Sequence, residues 1–162
     1  MKLYLLRHGS ADDRAPNDDS RELTAHGETE TCIAGTALAK LGAHPVCVFT
    51  SPLLRAQQTA RIVVESFGVA LPVMGLEELR NGASTTDLLR ALQSHVCAGD
   101  LLLVGHMPSL AGHVAALGGE RSAEAFAFGK GAVACVELEQ LRPGDGRLRW
   151  MHNQTQLKSL AA

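Results

Sequence analysis

The sequence has few aromatic side chains: one Trp, one Tyr and four Phe in 162 residues. Its core must therefore be aliphatic, built from Leu, Val and Ala. It has no charge excess. Fifteen Lys and Arg stand against 17 Asp and Glu, a net charge of −2. No overall basic field exists to hold nucleic acid. No apolar run reaches the roughly 18 residues of a membrane span. Too few apolar residues precede Arg7 for a signal peptide, so the cytoplasm is the expected location. The cysteines are unpaired by spacing. Cys32, Cys47, Cys97 and Cys135 lie far apart and read as four buried thiols in a reducing compartment. That spacing suits no zinc site, and no metal or cofactor is expected. Gly129-Lys130-Gly131 lacks the context of a phosphate-binding P-loop and reads as a loop entering the next strand.

What is present is a balanced globular composition, 46% hydrophobic and 20% charged, in a length that fits one domain over residues 1–162. Lys2 to Leu6 is a short apolar run, read as a buried strand that ends at Arg7-His8-Gly9. Residues 10–22 form a polar loop carrying Asp12, Asp13, Asp18 and Asp19. Thr24 can cap a helix that runs on through Ile33, Leu38 and Leu41 to Gly42. Val46 to Phe49 reads as a second strand. Ser51 is then a helix cap and Pro52 the first helical residue. Val69 to Met74 reads as a strand and Thr85 to Val96 as a helix. Leu101 to Val104 is another buried strand, with Pro108 starting the next helix. Ala132–Leu138 and Arg147–Met151 read as two late strands around a Pro143–Gly146 turn. Alternating strands and helices predict an α/β domain: a largely parallel sheet with helices on both faces.

Three positions share one address in such a sheet. His8 follows the first strand, Arg55 lies early in the helix after the second, and His106 follows the Leu101–Val104 strand. All three fall at the carboxyl edge, where α/β folds bind ligands. Arg7 and Arg55 offer forked donors suited to phosphate oxygens. One imidazole attacks phosphorus while neutral; the other, charged, holds an oxygen. Phosphoryl transfer needs positioning and charge neutralisation, which this group supplies without a metal. The other histidines, His26, His44, His95, His113 and His152, read as structural or surface residues.

Leu6-Arg7-His8-Gly9 resembles the signature of the histidine phosphatase superfamily, with its phosphoglycerate-mutase-like fold. Ser51-Pro52-Leu53-Leu54-Arg55-Ala56 resembles its second motif, and Gly105-His106-Met107-Pro108 its third. Arg21-Glu22-Leu23-Thr24 with His26-Gly27 is closer still to the SixA-type phosphohistidine phosphatases. The resemblance implies a three-layer sandwich without a large cap insertion, and an open pocket suited to a phosphorylated side chain on a partner protein. It implies His8 as the phosphorylated nucleophile, with Arg7, Arg55 and His106 on the phosphoryl group and Arg21 as a further phosphate contact. It also implies hydrolysis of phosphohistidine, a signal-transduction reaction. Glu77 and Glu78 lie where the superfamily often carries a proton donor, and Glu78 matches better. The Gly- and Trp-containing segment that usually follows is replaced by Arg80-Asn81-Gly82-Ala83. A phosphohistidine substrate relaxes the need for that acid, because imidazole leaves more readily than an alkoxide. The alternatives are a phosphatase for small phosphate esters, or a module that binds phosphorylated partners without turnover. An intact pair of histidines argues against the module.

Overall fold

The computed structural model describes residues 1–95 and 98–162. Strand β1 (Lys2–Arg7) leads through the Asp-rich loop to helix α1 (Ala25–Lys40). Thr24 caps that helix as the sequence predicts, its side chain accepting the Gly27 N–H. Strand β2 (Pro45–Thr50), helix α2 (Leu54–Glu65) and strand β3 (Val73–Gly75) follow. A 3-10 turn at Glu77–Leu79 precedes helix α3 (Thr85–Ser94), strand β4 (Asp100–Gly105) and helix α4 (Ser109–Gly118). The chain ends with β5 (Val133–Leu138), β6 (Gly146–His152) and helix α5 (Gln154–Ala161).

The six strands form one sheet in the order β3-β2-β4-β1-β5-β6. Strands β1 to β4 are mutually parallel, and β5 runs antiparallel to both of its neighbours. Successive strand residues point to opposite faces. On one face Leu3, Leu5, Phe49, Leu101 and Leu103 pack under α3 and α4, through Leu88, Leu92, Leu110 and Val114. On the other, Tyr4, Leu6, Val48, Leu102 and Val104 meet α1, α2 and α5 through Leu38, Ala60, Val63 and Leu157. Burial on both faces is why these strands read as unbroken apolar runs rather than alternating ones. The result is the expected three-layer α/β sandwich.

Several local expectations change. Helix α2 begins at Leu54, with Leu53 as its N-cap, so neither Ser51 nor Pro52 plays the predicted helix-start role. Strand β3 has shrunk to three residues; Val69 lies outside it and is exposed. The predicted helix end at Val96 lies outside the described residues, as does Cys97. Cys47 and Cys135 are buried, but Cys32 is exposed, because α1 turns Thr31 and Ala34 inward instead. Helix α5 was not legible. It is one short amphipathic stretch, set by an Asn153–Gln156 capping box and anchored by buried Leu157.

Candidate active site

The ends of β2, β4 and β1, three neighbouring strands, bring the candidate residues together. The Arg7-His8 backbone is fixed from both sides. Arg7 N–H donates to Ala132 O at 3.0 Å, and His8 N–H to Gly105 O at 3.2 Å. Gly9 then passes so close to α1 that a Cβ there would strike the Gly27 carbonyl, and one on Gly27 would strike Ser10. Glycine at both positions thus lets the loop lie against the helix.

His8 has a defined tautomer. Arg55 Nε lies 3.2 Å from His8 Nε2, and a guanidinium only donates, so Nε2 accepts. Nδ1 lies 2.7 Å from the Gly9 carbonyl and carries the proton. The Nε2 lone pair therefore points at Arg55 and accepts its Nε–H. Burial pushes the His8 pKa down to about 3 against the pull of the Gly9 carbonyl, with further lowering from neighbouring His106, Lys130 and Arg55. The ring is neutral at ordinary pH, the form required of a nucleophile.

His106 stands beside it, ring centroids 4.9 Å apart and tilted 56°. Its Nε2 is 2.7 Å from Ser51 Oγ. Ser51 was expected to cap α2; its hydroxyl is committed to His106 instead. Burial first, then the charge of Arg55, brings the His106 pKa down to about 4. The expected charged partner is thus held neutral. Arg55, in the first turn of α2, bonds Asp18 twice: Nη1 to its carbonyl at 2.7 Å and Nη2 to its carboxylate at 3.0 Å. Arg7 Nη1 donates to Phe128 O at 2.6 Å, while its buried Nε has no acceptor among the described residues. Two neutral imidazoles, two guanidiniums and an orphaned N–H make a site built to receive an anion.

The profile of the "Histidine phosphatase superfamily (branch 1)" matches residues 3–87, more than half of the chain. The chain belongs to the histidine phosphatase superfamily. An uncharacterized protein of Picosynechococcus sp. is 41% identical over 80% of this chain and 75% of its own length. Phosphohistidine phosphatase SixA of Escherichia coli is 28% identical over 100% of this chain and 99% of that protein. A solved structure of the protein histidine phosphatase SixA complexed with tungstate superposes with a TM-score of 0.86 at 27% identity. It covers 98% of this chain and 100% of that one. Membership in the superfamily supports phosphatase activity.

Against that family pattern, two expected residues sit apart from the central four. Arg21 donates from Nε to Asp12 O at 2.9 Å and from Nη1 to Asp18 at 3.2 Å, and also pairs with Asp13. It reaches Arg55 only across Asp18. Glu78 is half-buried on the 3-10 turn, and among the described residues no hydrogen bond or ion pair joins it to His8, His106, Arg7 or Arg55. The neighbouring Glu77 pairs with Arg80. No inserted cap encloses the site, yet it is not open as expected. His8, His106 and Arg55 are 4%, 3% and 5% exposed, and the Asp18 loop lies on Arg55. Sequence reasoning treated Asp18 as a solvated loop charge. Nothing in its spacing separates it from Asp12, Asp13 or Asp19. Among the described residues no group of three or more His, Cys, Asp or Glu is arranged to hold a metal ion. No described helix is long and apolar enough to cross a membrane.

The buried imidazoles carry a pH consequence. Burial also lowers His113 to about 4, its Nδ1 facing Thr85 Oγ1 at 2.9 Å. In the unfolded chain each titrates near about 6.5. Between those values the unfolded chain binds more protons, so stability rises with pH. Their contribution is complete above about 6.5 and is lost as pH falls toward about 4 for His106 and His113 and about 3 for His8. The thermal midpoint should drop over that window; a flat midpoint would show that these rings protonate freely in the fold.

Proposed function

We propose that this chain removes phosphoryl groups from histidine in a partner protein, using His8 as nucleophile and no metal. The observation that carries the reading is the His8 tautomer: a neutral ring with its Nε2 lone pair facing Arg55. Nε2 releases its Arg55 hydrogen bond and attacks phosphorus, the bond to the substrate imidazole breaks, and that imidazole takes a proton from water as it leaves. Water then attacks the phosphorus on His8. The P–Nε2 bond breaks, His8 regains its lone pair and inorganic phosphate departs. Arg7 and Arg55 hold the phosphoryl oxygens, with the orphaned Arg7 Nε finding its acceptor there. A bound dianion raises the pKa of His106, so that His106 becomes the charged donor once substrate is present.

Two features support phosphohistidine over an alkyl ester. The first is full-length similarity to phosphohistidine phosphatase SixA. The second is that Glu78, the acid expected as proton donor, is bonded to none of the central four among the described residues, a lack that matters less for an imidazole leaving group. The test is a side-by-side assay of a phosphohistidine protein and a panel of alkyl phosphates. The phosphoprotein is expected to show a kcat/KM higher by at least about tenfold, about 1.4 kcal/mol of discrimination. Equal turnover of the alkyl esters would move the substrate to small molecules.

A further inference from the structure

We propose that Asp18 is a positioning residue for Arg55, and that Arg21 acts on the phosphoryl site through Asp18 rather than by touching the anion. The inference rests on the reading above that Arg55 holds the phosphoryl group.

The guanidinium of Arg55 is planar, and its three nitrogens are divided between two sides. Nε faces His8 Nε2 at 3.2 Å. Nη1 and Nη2 are both taken by Asp18, through its carbonyl at 2.7 Å and its carboxylate at 3.0 Å. Fixing both outer nitrogens from one residue fixes the direction of Nε. That direction points at the atom expected to carry the phosphoryl group.

Asp18 needs support to do this. Its side chain is 60% exposed, and an exposed carboxylate ordinarily turns freely. Its other oxygen is held by Arg21 Nη1 at 3.2 Å. Arg21 is in turn tied down by Asp12 and Asp13. The next residue pins the backbone. Asp19 O accepts the Leu54 N–H at 3.0 Å at the start of α2, and the Asp19 carboxylate takes the Arg80 fork at 3.1 and 3.0 Å. The contacts therefore run Arg21–Asp18–Arg55–His8, and among the described residues Arg21 bonds to none of His8, His106 and Arg7.

The charge of Asp18 gives the role a signature. A carboxylate beside an anion site opposes ground-state binding, so removing its charge cannot weaken phosphate binding electrostatically. Misaligning Arg55, by contrast, costs transition-state stabilisation. A positioning residue therefore splits kcat from affinity, and a mere competitor for Arg55 does not.

The experiment compares wild type, Asp18→Asn, Arg21→Ala and the double variant. It reads kcat on a phosphohistidine protein and calorimetric Kd for inorganic phosphate. Asp18→Asn should lower kcat about tenfold, with phosphate Kd unchanged or a few-fold tighter. Arg21→Ala should lose a similar factor, and the double variant no more than either single one, because both break one chain of contacts. Wild-type or higher kcat in Asp18→Asn would overturn the proposal and make Asp18 a competitor. A multiplicative loss of about 100-fold in the double variant would overturn it and put Arg21 on the anion directly. Wild-type protein that neither binds phosphate nor forms an acid-labile adduct would defeat the reading of the site itself. Wild type that does both, beside an unchanged Asp18→Asn, would defeat this inference alone.

Discussion

His8→Ala should abolish turnover while phosphate binding largely survives. The direction of the His8 Nε2 lone pair is set by the Gly9 carbonyl behind the ring and Arg55 before it. Alanine removes that lone pair and leaves Arg7, Arg55 and His106 in place to hold an anion. Loss of a covalent nucleophile typically costs on the order of 10⁴-fold or more in kcat. Single-turnover labelling provides the second readout: wild type should carry a transient acid-labile phosphoryl adduct on His8, and the variant none. Turnover near the wild-type rate would place the nucleophile elsewhere. Loss of the adduct with unchanged steady-state rate would make direct attack by water the mechanism.

Arg55→Ala should lower kcat by on the order of 10²–10³, the usual cost of one preorganised transition-state donor. Arg55 is buried, faces His8 from Nε and is clamped from behind by Asp18, so its guanidinium is already placed beside the reacting atom as charge develops. Arg55→Lys should recover little, because an ammonium keeps the charge but cannot satisfy Asp18 and the phosphoryl group together. The thermal midpoint should move only modestly, since the Asp18 carboxylate left behind is largely solvated. A rate change under about threefold would put Arg55 outside the reacting region. A large loss of stability with it would make Arg55 chiefly a tether for the loop.

Much of the fold was legible because burial leaves strong marks. The strand at Leu101–Val104 is apolar without interruption because both of its faces are covered. Thr24 announced α1 because its side chain caps locally, three residues from its partner. Helix α5 carries a local cap too, the Asn153–Gln156 box, but no apolar stripe follows it. Its eight residues bury only Leu157 fully, and its stability comes from docking on α1. Ser51 was misread for the opposite reason. Its pattern with Pro52 is a valid helix start, but a histidine 55 residues away competes for the hydroxyl.

The sequence by itself determined the α/β layering and marked His8, Arg7, Arg55 and His106 as candidates for one site, because apolar runs and strand-end motifs are local signals. Only the tertiary structure decided what those residues are to one another. It neutralised both imidazoles by burying them, gave His8 its tautomer, turned Ser51 toward His106 and set Asp18 behind Arg55. These are effects of desolvation and of contacts between distant segments, and neither is encoded at any single position in the chain.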